Sequence, residues 1–534
     1  MTLEQRIKLI TGVKQYASRS LDAFAFPVFE LKDDPMYNAG VRATAFPQDD
    51  TLARMWNSTV VTQVYKCVGN ETKAADLPAY YNIRNRVEPN TPSSDPFAAA
   101  RFFAAKTAGL NKSGAFVNLE NVSVETDTPE QKTESKLIYD LITSASEPDS
   151  VVVKRADRAE ESVERDANRL MYGVAQNKEE VAAYLAAGYS YVYLAEDFTD
   201  ELVPYLTELT VEYDKAYDAC KRGKITPEKL KLCCDELAML PLERINDACD
   251  NVIDMLIALG ANNSAAVLEK KTSTSGAGAP LFDEIEHDKI ALTAARQSVV
   301  LVKNNGILPL KRETKIAVLG EYAKDPSYHD SGNEPTLLGL PFEVINDHEI
   351  RATGFAYGYK KGEIGRTDLH KTAAKLCKSS DAALVFLCAE KGAYALPPEQ
   401  IEFLDALHAS GAKIIAAVSA DSVIDMAFES KCSAVLFTGR GGQKSASAVF
   451  EIIAGSVNPS GKFAAPVPMR INAQTGETSG ERYPLGYGLS YTAFEYTRLE
   501  VSDRGITLTV TNTGEYDGYS TVQMYVQKAA KNGA

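Results

Sequence analysis

The stretch YVYLAEDFTD (191–200) carries a run of aromatic and aliphatic residues into two adjacent acids, Glu196 and Asp197. A carboxylate held at the end of a strand can serve as nucleophile, general acid or general base. The same acids, followed by Phe-Thr-Asp-Glu, can instead lead a helix, whose N-terminal dipole favours negative charge. Other reactive groups are sparse. All five histidines (287, 329, 348, 370, 408) fall in the second half, so the first 286 residues supply neither a His base nor a His ligand. Eight cysteines (67, 220, 233, 234, 249, 377, 388, 432) include no CxxC pair of the zinc-gripping kind and read as reduced thiols. HDSGNE (329–334) groups His, Asp and Glu without the second cluster a metal centre needs. GYGLS sets Ser490 outside the GxSxG elbow, and no HExxH, phosphate loop or GxGxxG occurs. No metal is expected.

The elements that must position the two acids form an α/β series. Up to about residue 265, helical patterns alternate with short extended runs such as AFVNL (115–119), SVVVK (150–154) and YVYLA (191–195), as parallel strands require. TPEKLKLCCDELAMLPLERINDACDNVIDMLIALG (226–260) is helical in its spacing, with Thr226 as N-cap. TSTSGAGAP (272–280) has the small, polar composition of a linker. Beyond it KIAVLGE, DAALVFLCAE, KIIAAVSA and SAVLFTG are nearly continuous apolar strands, the mark of a sheet covered on both faces. From about residue 493 the period changes to two, with turn signals at SDRG and NTGEYDG, as at the start of a β-sandwich. The expected organisation is therefore residues 1–271, a linker at 272–290, a second α/β unit at 291–492, and a partial sandwich at 493–534. Such a partial sandwich exposes strand edges that a homo-oligomer would cover.

With 534 residues, 45% hydrophobic and 24% charged, the chain reads as a multidomain globular protein. Its net charge of −15 disfavours nucleic acid, whose binding needs clustered Lys and Arg. MTLEQRIKLITG lacks the apolar core of a signal peptide, and no run of 18 or more apolar residues is present. A cytoplasmic protein without a membrane partner is expected.

Longer motifs give the chain a family likeness. AARQSVVLVKNNGILPL (294–310), NPSGK (458–462) and RYPLGYGLSYTAFEY (482–496) resemble segments of glycoside hydrolase family 3, the β-glucosidase family. LPPEQ (396–400), GGQ (441–443) and, more faintly, GVRATAFPQDDTLARMWN (40–57) follow in family order. The resemblance implies a (β/α)8-like TIM barrel, an (α/β)6 sandwich and a partial fibronectin type III-like domain. It implies retaining hydrolysis of terminal β-linked sugars, without a cofactor, and a carbohydrate partner. That chemistry uses two carboxyl groups about 5–5.5 Å apart, one attacking the anomeric carbon and one protonating the leaving oxygen.

Carried onto this sequence, the family's strand-end nucleophile falls on Asp197, which precedes the aromatic Phe198, or on Glu196 in an ungapped comparison. The acid/base falls in AEKGAYALPPEQ (389–400), where Glu390 is the only acid before LPPEQ. Sugar-binding positions fall on Asp34 in KDDPMYNAGVR and on Arg84 or Arg86 in NIRNR. The family's Lys-His pair has no counterpart, because Asn118 and Leu119 stand there. Each lost donor of this kind can lower a rate by roughly two to three powers of ten. Two readings follow: a β-glucosidase of weakened activity, or a catalytically inactive relative that binds carbohydrate or protein.

Overall fold

The structure, a computed structural model, describes residues 1–12, 39–75, 77, 80–84, 93–120, 133, 136–138, 140–142, 144, 152–156, 171–237, 239–258, 282–326, 333–348, 350–472, 475–502 and 505–525. The first half is built on strands β1 (Thr11–Gly12), β3 (Tyr80–Arg84), β4 (Phe116–Glu120), β5 (Val152–Ala156), β6 (Met171–Ala175) and β7 (Tyr191–Leu194), with β2 (Arg42–Ala43) apart from them. The six pair in the order β1-β7-β6-β5-β4-β3, every pairing parallel. Parallel neighbours need a crossover, and helices Pro96–Lys112 and Lys178–Ala186 supply two of them. The first strand lies beside the last, as in a sheet curling on itself. Among the described residues no pairing joins β1 to β3, the closure that a barrel requires.

Local sequence explains these elements. Thr2 and Gln5 form a capping box that starts helix Leu3–Leu9. Asn57, Asp95 and Asn177 cap helices Ser58–Ala74, Pro96–Lys112 and Lys178–Ala186 through their side-chain oxygens. Thr226 accepts from the Lys229 amide at 3.2 Å, as its N-cap position predicts. The helical stretch after it divides into Pro227–Leu237 and Leu242–Ala258, because Pro241 disfavours helical geometry in the residue before it. In β6, Gly173 is required by packing: a Cβ there would lie 2.6 Å from the Tyr184 ring.

Helix Glu284–Ser298, capped by Asp283, begins within the stretch read as linker, and residues 272–281 lie outside the described residues. It leads to a second sheet made of β8 (Val300–Asn304), β9 (Lys315–Leu319), β11 (Arg351–Ala356), β12 (Ala382–Cys388), β13 (Ile414–Ser419) and β14 (Ala434–Phe437). The order is β11-β9-β12-β13-β14-β8, parallel except for the antiparallel β14–β8 pair. Strands β12, β13 and β14 are buried throughout, as their unbroken apolar sequences require. Alternate residues feed opposite faces: Ala383, Val385 and Leu387 join one core cluster, and Ala382, Leu384 and Phe386 the other. Each large side chain so buried contributes about 1.5–3 kcal/mol. Chain order reverses between β9 and β12, and ligands of open α/β sheets bind at such a reversal, outside the carboxyl ends of the strands.

The halves are joined by β2, which pairs with β10 (Glu334–Pro335) in parallel. After the second sheet come two antiparallel pairs, β15 (Val467–Ile471) with β16 (Thr478–Tyr483), and β17 (Phe494–Ser502) with β18 (Gly505–Asn512). The predicted period-two segment is thus a hairpin. Its Leu499 and Val501 are 64% and 74% exposed, so alternation alone has not buried a face.

Candidate active site

Strand β7 is buried at every residue, and the chain changes character as it leaves the sheet. The Ala195 amide donates to Ala175 O at 2.9 Å, which carries the β6 pairing one residue further. Ala195, Glu196 and Asp197 are exposed, and Phe198 then turns back against the core. Helix Thr199–Lys221 begins at once. Asp197 Oδ1 accepts from the Thr199 amide at 3.2 Å and from Thr199 Oγ1 at 2.6 Å. The strand-end position and the helix-starting role therefore belong to the same residue. Glu196 occupies the turn between them, its carbonyl accepting from the Phe198 amide at 3.1 Å.

In the second half, Glu390 follows β12 by two residues, and the chain is held on both sides of it. Arg440, only 1% exposed, donates through Nη2 to Ala389 O at 3.0 Å and through Nη1 to Cys388 Sγ at 2.9 Å. Its Nε donates to Asp421 Oδ1 at 2.5 Å, and Asp421 Oδ2 accepts from the Gly392 amide at 2.9 Å. This guanidinium–carboxylate pair clamps the chain before and after Glu390. Gln400 completes the support: its Oε1 accepts from the Cys388 amide at 3.0 Å and its Nε2 donates to Cys388 O at 2.9 Å. The LPPEQ match thus has a positioning role. The Glu390 carboxylate meets Lys361 Nζ at 3.2 Å, with both side chains more than half exposed. An exposed pair of this kind contributes about 0–1 kcal/mol, so a ligand can displace the lysine at little cost. The Lys361 amide donates to Glu321 Oε2 at 2.6 Å, bringing the residues after β9 and β12 to one rim, at the point of strand reversal.

The GRGGQ run fastens this rim to the first half. Gly439 has φ +62°, and a Cβ there would lie 2.2 Å from Thr51 Oγ1 and 2.3 Å from Arg54 Nη1. A Cβ on Gly442 would lie 2.2 Å from Ala45 O. Gln443 accepts from the Ala45 amide at 3.1 Å and donates its own amide to Ala45 O at 2.7 Å. The Arg440 amide donates to Thr51 Oγ1 at 3.1 Å. Behind it Arg54 pairs with Asp50 at 2.6 Å and stacks over the Phe437 ring at 4.5 Å. Burial pushes the Asp50 carboxyl up to about 6 against the pull of Arg54, and nearby Asp421 adds to the rise. Burial likewise holds Arg54 below its ordinary value. A second buried pair joins His287 Nδ1 to Glu71 Oε1 at 2.6 Å, with Glu71 Oε2 also accepting from the Thr44 amide at 2.8 Å.

Of the residues singled out from the sequence, Glu196 and Asp197 share one strand end, and Glu390 ends a strand of the other sheet. Arg84 is the last residue of β3, its side chain outside the described residues. Asp34 and Arg86 lie outside the described residues, as do the side chains of Asn118 and Leu119. Arg440, Asp421, Asp50 and Arg54 were not anticipated. The sequence signal of Arg440 is a basic residue among the glycines of TGRGGQ, which also fits a solvated loop; Asp50 and Arg54 lie in GVRATAFPQDDTLARMWN, where nothing sets them apart from other charged residues.

Residues 299–491 match the family model described as the glycosyl hydrolase family 3 C-terminal domain. An exo-alpha-(1->6)-L-arabinopyranosidase of Bifidobacterium longum is 31% identical over 300 residues, covering 46% of this chain and 40% of that protein. The chain therefore aligns with less than half the length of that relative. The thermostable beta-glucosidase B of Acetivibrio thermocellus is 24% identical over 615 residues, covering 99% of this chain and 77% of the relative. Among solved structures, the GH3 beta-glucosidase of Bifidobacterium adolescentis superposes with a TM-score of 0.70 at 23% identity, over 96% of this chain and 82% of that one. The beta-glucosidase of Kluyveromyces marxianus in complex with glucose gives 0.71 at 13% identity, over 97% and 87%. Those likenesses speak for the fold, an α/β architecture containing a mixed sheet. With the C-terminal match and the near full-length likeness taken together, the chain resembles the β-glucosidases of glycoside hydrolase family 3.

Proposed function

We propose that the chain is a retaining β-glycosidase acting on terminal β-linked glucose-type residues, with activity weakened by its missing sugar-binding groups. The observation that carries this reading is Asp197, exposed directly after a wholly buried strand at the carboxyl edge of a parallel sheet. Barrel enzymes keep their chemistry at that edge. In the proposed reaction an Asp197 carboxylate oxygen forms a bond to the anomeric carbon as the glycosidic C–O bond breaks. Glu390 gives its proton to the departing oxygen. Water then attacks the same carbon, its proton passes to Glu390, and the ester bond to Asp197 breaks. Glu196 is the substitute nucleophile if Asp197 serves only the helix. Asp34, Arg84 and Arg86 are proposed to bind sugar hydroxyls.

The corresponding architecture is a TIM-barrel-like unit over 1–271, a linker over 272–290, an α/β sandwich over 291–492 and a partial fibronectin type III-like domain over 493–534. Six cysteines are free thiols among the described residues, which supports a cytoplasmic setting. No described helix is long and apolar enough to cross a membrane.

A panel of aryl β-glycosides tests the reading. Turnover by the unmodified protein, lost in Asp197→Ala, is expected. Turnover unchanged in both Asp197→Ala and Glu196→Ala would remove the assignment. A specific observation favours a second reading, a non-catalytic sugar- or protein-binding relative: Asp197 is engaged by Thr199 and Glu390 by Lys361. Saturable sugar binding without turnover by the unmodified protein would select it.

A further inference from the structure

A cavity of about 700 Å³ lies where four separated parts of the chain meet: the starts of helices Ser58–Ala74 and Pro96–Lys112, the segment around Ser460, and residues 519–525. None of Glu196, Asp197 and Glu390 lines it. Its volume falls within the roughly 300–1,000 Å³ of small-molecule sites. Trp56, the only tryptophan of the chain, is on its wall. The residue sits at φ +52°, a conformation that bulky side chains rarely adopt and that clusters at ligand sites. Its Nε1 donates to Lys462 O at 3.2 Å, which fixes the indole by its edge.

The polar groups around it specify a chemistry. Asn57 Nδ2 donates to Gln297 Oε1 at 2.9 Å, which orients the Gln297 amide so that its two donors point away from that bond. Asp95 Oδ1 caps its helix through the Ala98 amide at 2.7 Å, and Asp95 lines the cavity together with the exposed Arg101. Tyr519, 68% exposed, stands at the margin. An anion is disfavoured, because both helix N-termini are already capped by Asn57 and Asp95 and the latter carries negative charge. A purely apolar ligand would desolvate Asp95 and Arg101 without partners. A neutral polyhydroxylated ring fits both demands: its C–H face packs on the fixed indole, and its hydroxyls pair with carboxylate, guanidinium and amide.

We propose that this cavity, which none of the strand-end acids lines, is a second carbohydrate-binding site that holds one unit of a β-linked gluco-oligosaccharide. The glucose class rests on the β-glycosidase reading above, whereas the site itself rests on the cavity. Trp56 makes the test direct, since tryptophan emission in the full-length chain reports this one position. Cellotetraose is titrated into Asp197→Ala protein, which removes the proposed hydrolysis, and into the same background carrying Arg101→Ala. A saturable change in emission is expected, weakened about tenfold or more by Arg101→Ala, as for loss of one charge-assisted hydrogen bond. Tyr519→Ala gives a second variant at an exposed position, where folding is not at stake. No saturable change up to about 10 mM, beyond the millimolar range of a weak sugar site, overturns the proposal. Binding indifferent to both substitutions overturns it as well. Turnover of aryl β-glucosides by the unmodified protein is scored separately: turnover with inert Trp56 emission sinks this site alone, and responsive emission without turnover sinks the catalytic reading alone.

Discussion

Replacing Asp50 by Asn should remove a pH-dependent contribution to stability that the fold has built into the junction of its halves. The carboxyl of the folded chain titrates at about 6 rather than 3.8, chiefly because burial disfavours its charge. The folded state therefore holds this proton more tightly than the unfolded chain. The resulting stabilisation is fully present below 3.8 and is lost as the pH rises through about 6. The interval between the two values corresponds to about 3 kcal/mol, of which about 2 kcal/mol disappears between about pH 4.5 and about pH 7. This is an upper figure, because 23% of the Asp50 side chain remains exposed and water solvates its ionised form.

Urea unfolding of the unmodified chain and of Asp50→Asn at those two pH values measures the contribution. The transition is followed by Trp56, which lies just beyond helix Asp49–Ala53. Asp50→Asn also leaves Arg54 facing a neutral amide, so absolute stabilities of the two proteins are not comparable. The double difference isolates Asp50, since other titrating groups largely cancel. The unmodified chain is expected to lose up to about 2 kcal/mol more than the variant on going from the lower to the higher pH. A double difference within about 0.5 kcal/mol of zero, or of opposite sign, refutes the reasoning.

Arg440→Ala should cost about 3–5 kcal/mol in urea unfolding, because it strands the Asp421 carboxylate and frees Ala389 O; a cost under about 1 kcal/mol would show that the clamp is slack. Gly439→Ala, at φ +62° and against Thr51 and Arg54, should destabilise by more than about 2 kcal/mol and speed proteolysis between the halves, whereas resistance equal to the unmodified chain would deny that close approach. Thr199→Val separates the two roles of Asp197: it should lose about 1 kcal/mol of stability and retain turnover, whereas Asp197→Ala loses both. Equal stability losses with turnover untouched in both variants would leave Asp197 a helix-starting residue alone.

How far these features can be read from the sequence depends on the range of the contacts that make them. Strand β12 was legible because AALVFLC has no polar residue to place, and a run of that kind has to be covered on both faces. The start of helix Glu284–Ser298 was read as linker: Asp283 and Glu286 carry the spacing of a capped N-terminus, but the glycines of the preceding stretch outweighed it. The end of β7 showed its acids and left their role open, since only four residues separate the strand end from the helix start. Arg440 was not legible. Its environment combines Cys388 and Ala389, Asp421 and Thr51, positions that only tertiary structure brings together.

Any reaction that uses both Asp197 and Glu390 depends on how the two sheets are docked, because each acid belongs to a different one. Misplacement by about 1 Å can cost roughly a hundredfold in rate, so the docking must be stiff. The contacts at the junction are suited to this. Glycines 439 and 442 let backbone approach backbone, Gln443 binds both polar groups of Ala45, and Arg440 reaches from the docked loop to the residues flanking Glu390. Hydrophobic cover could supply as much stability, and buried ion pairs often contribute little net stabilisation compared with apolar replacements. What the charged groups add is direction: each hydrogen bond admits one arrangement of the loop. The junction is also compatible with change at the positions proposed to bind sugar in the first half while the architecture is kept. The groups that dock the sheets are separate from the groups proposed to hold the sugar, so losing the latter leaves the frame that presents Glu390 intact.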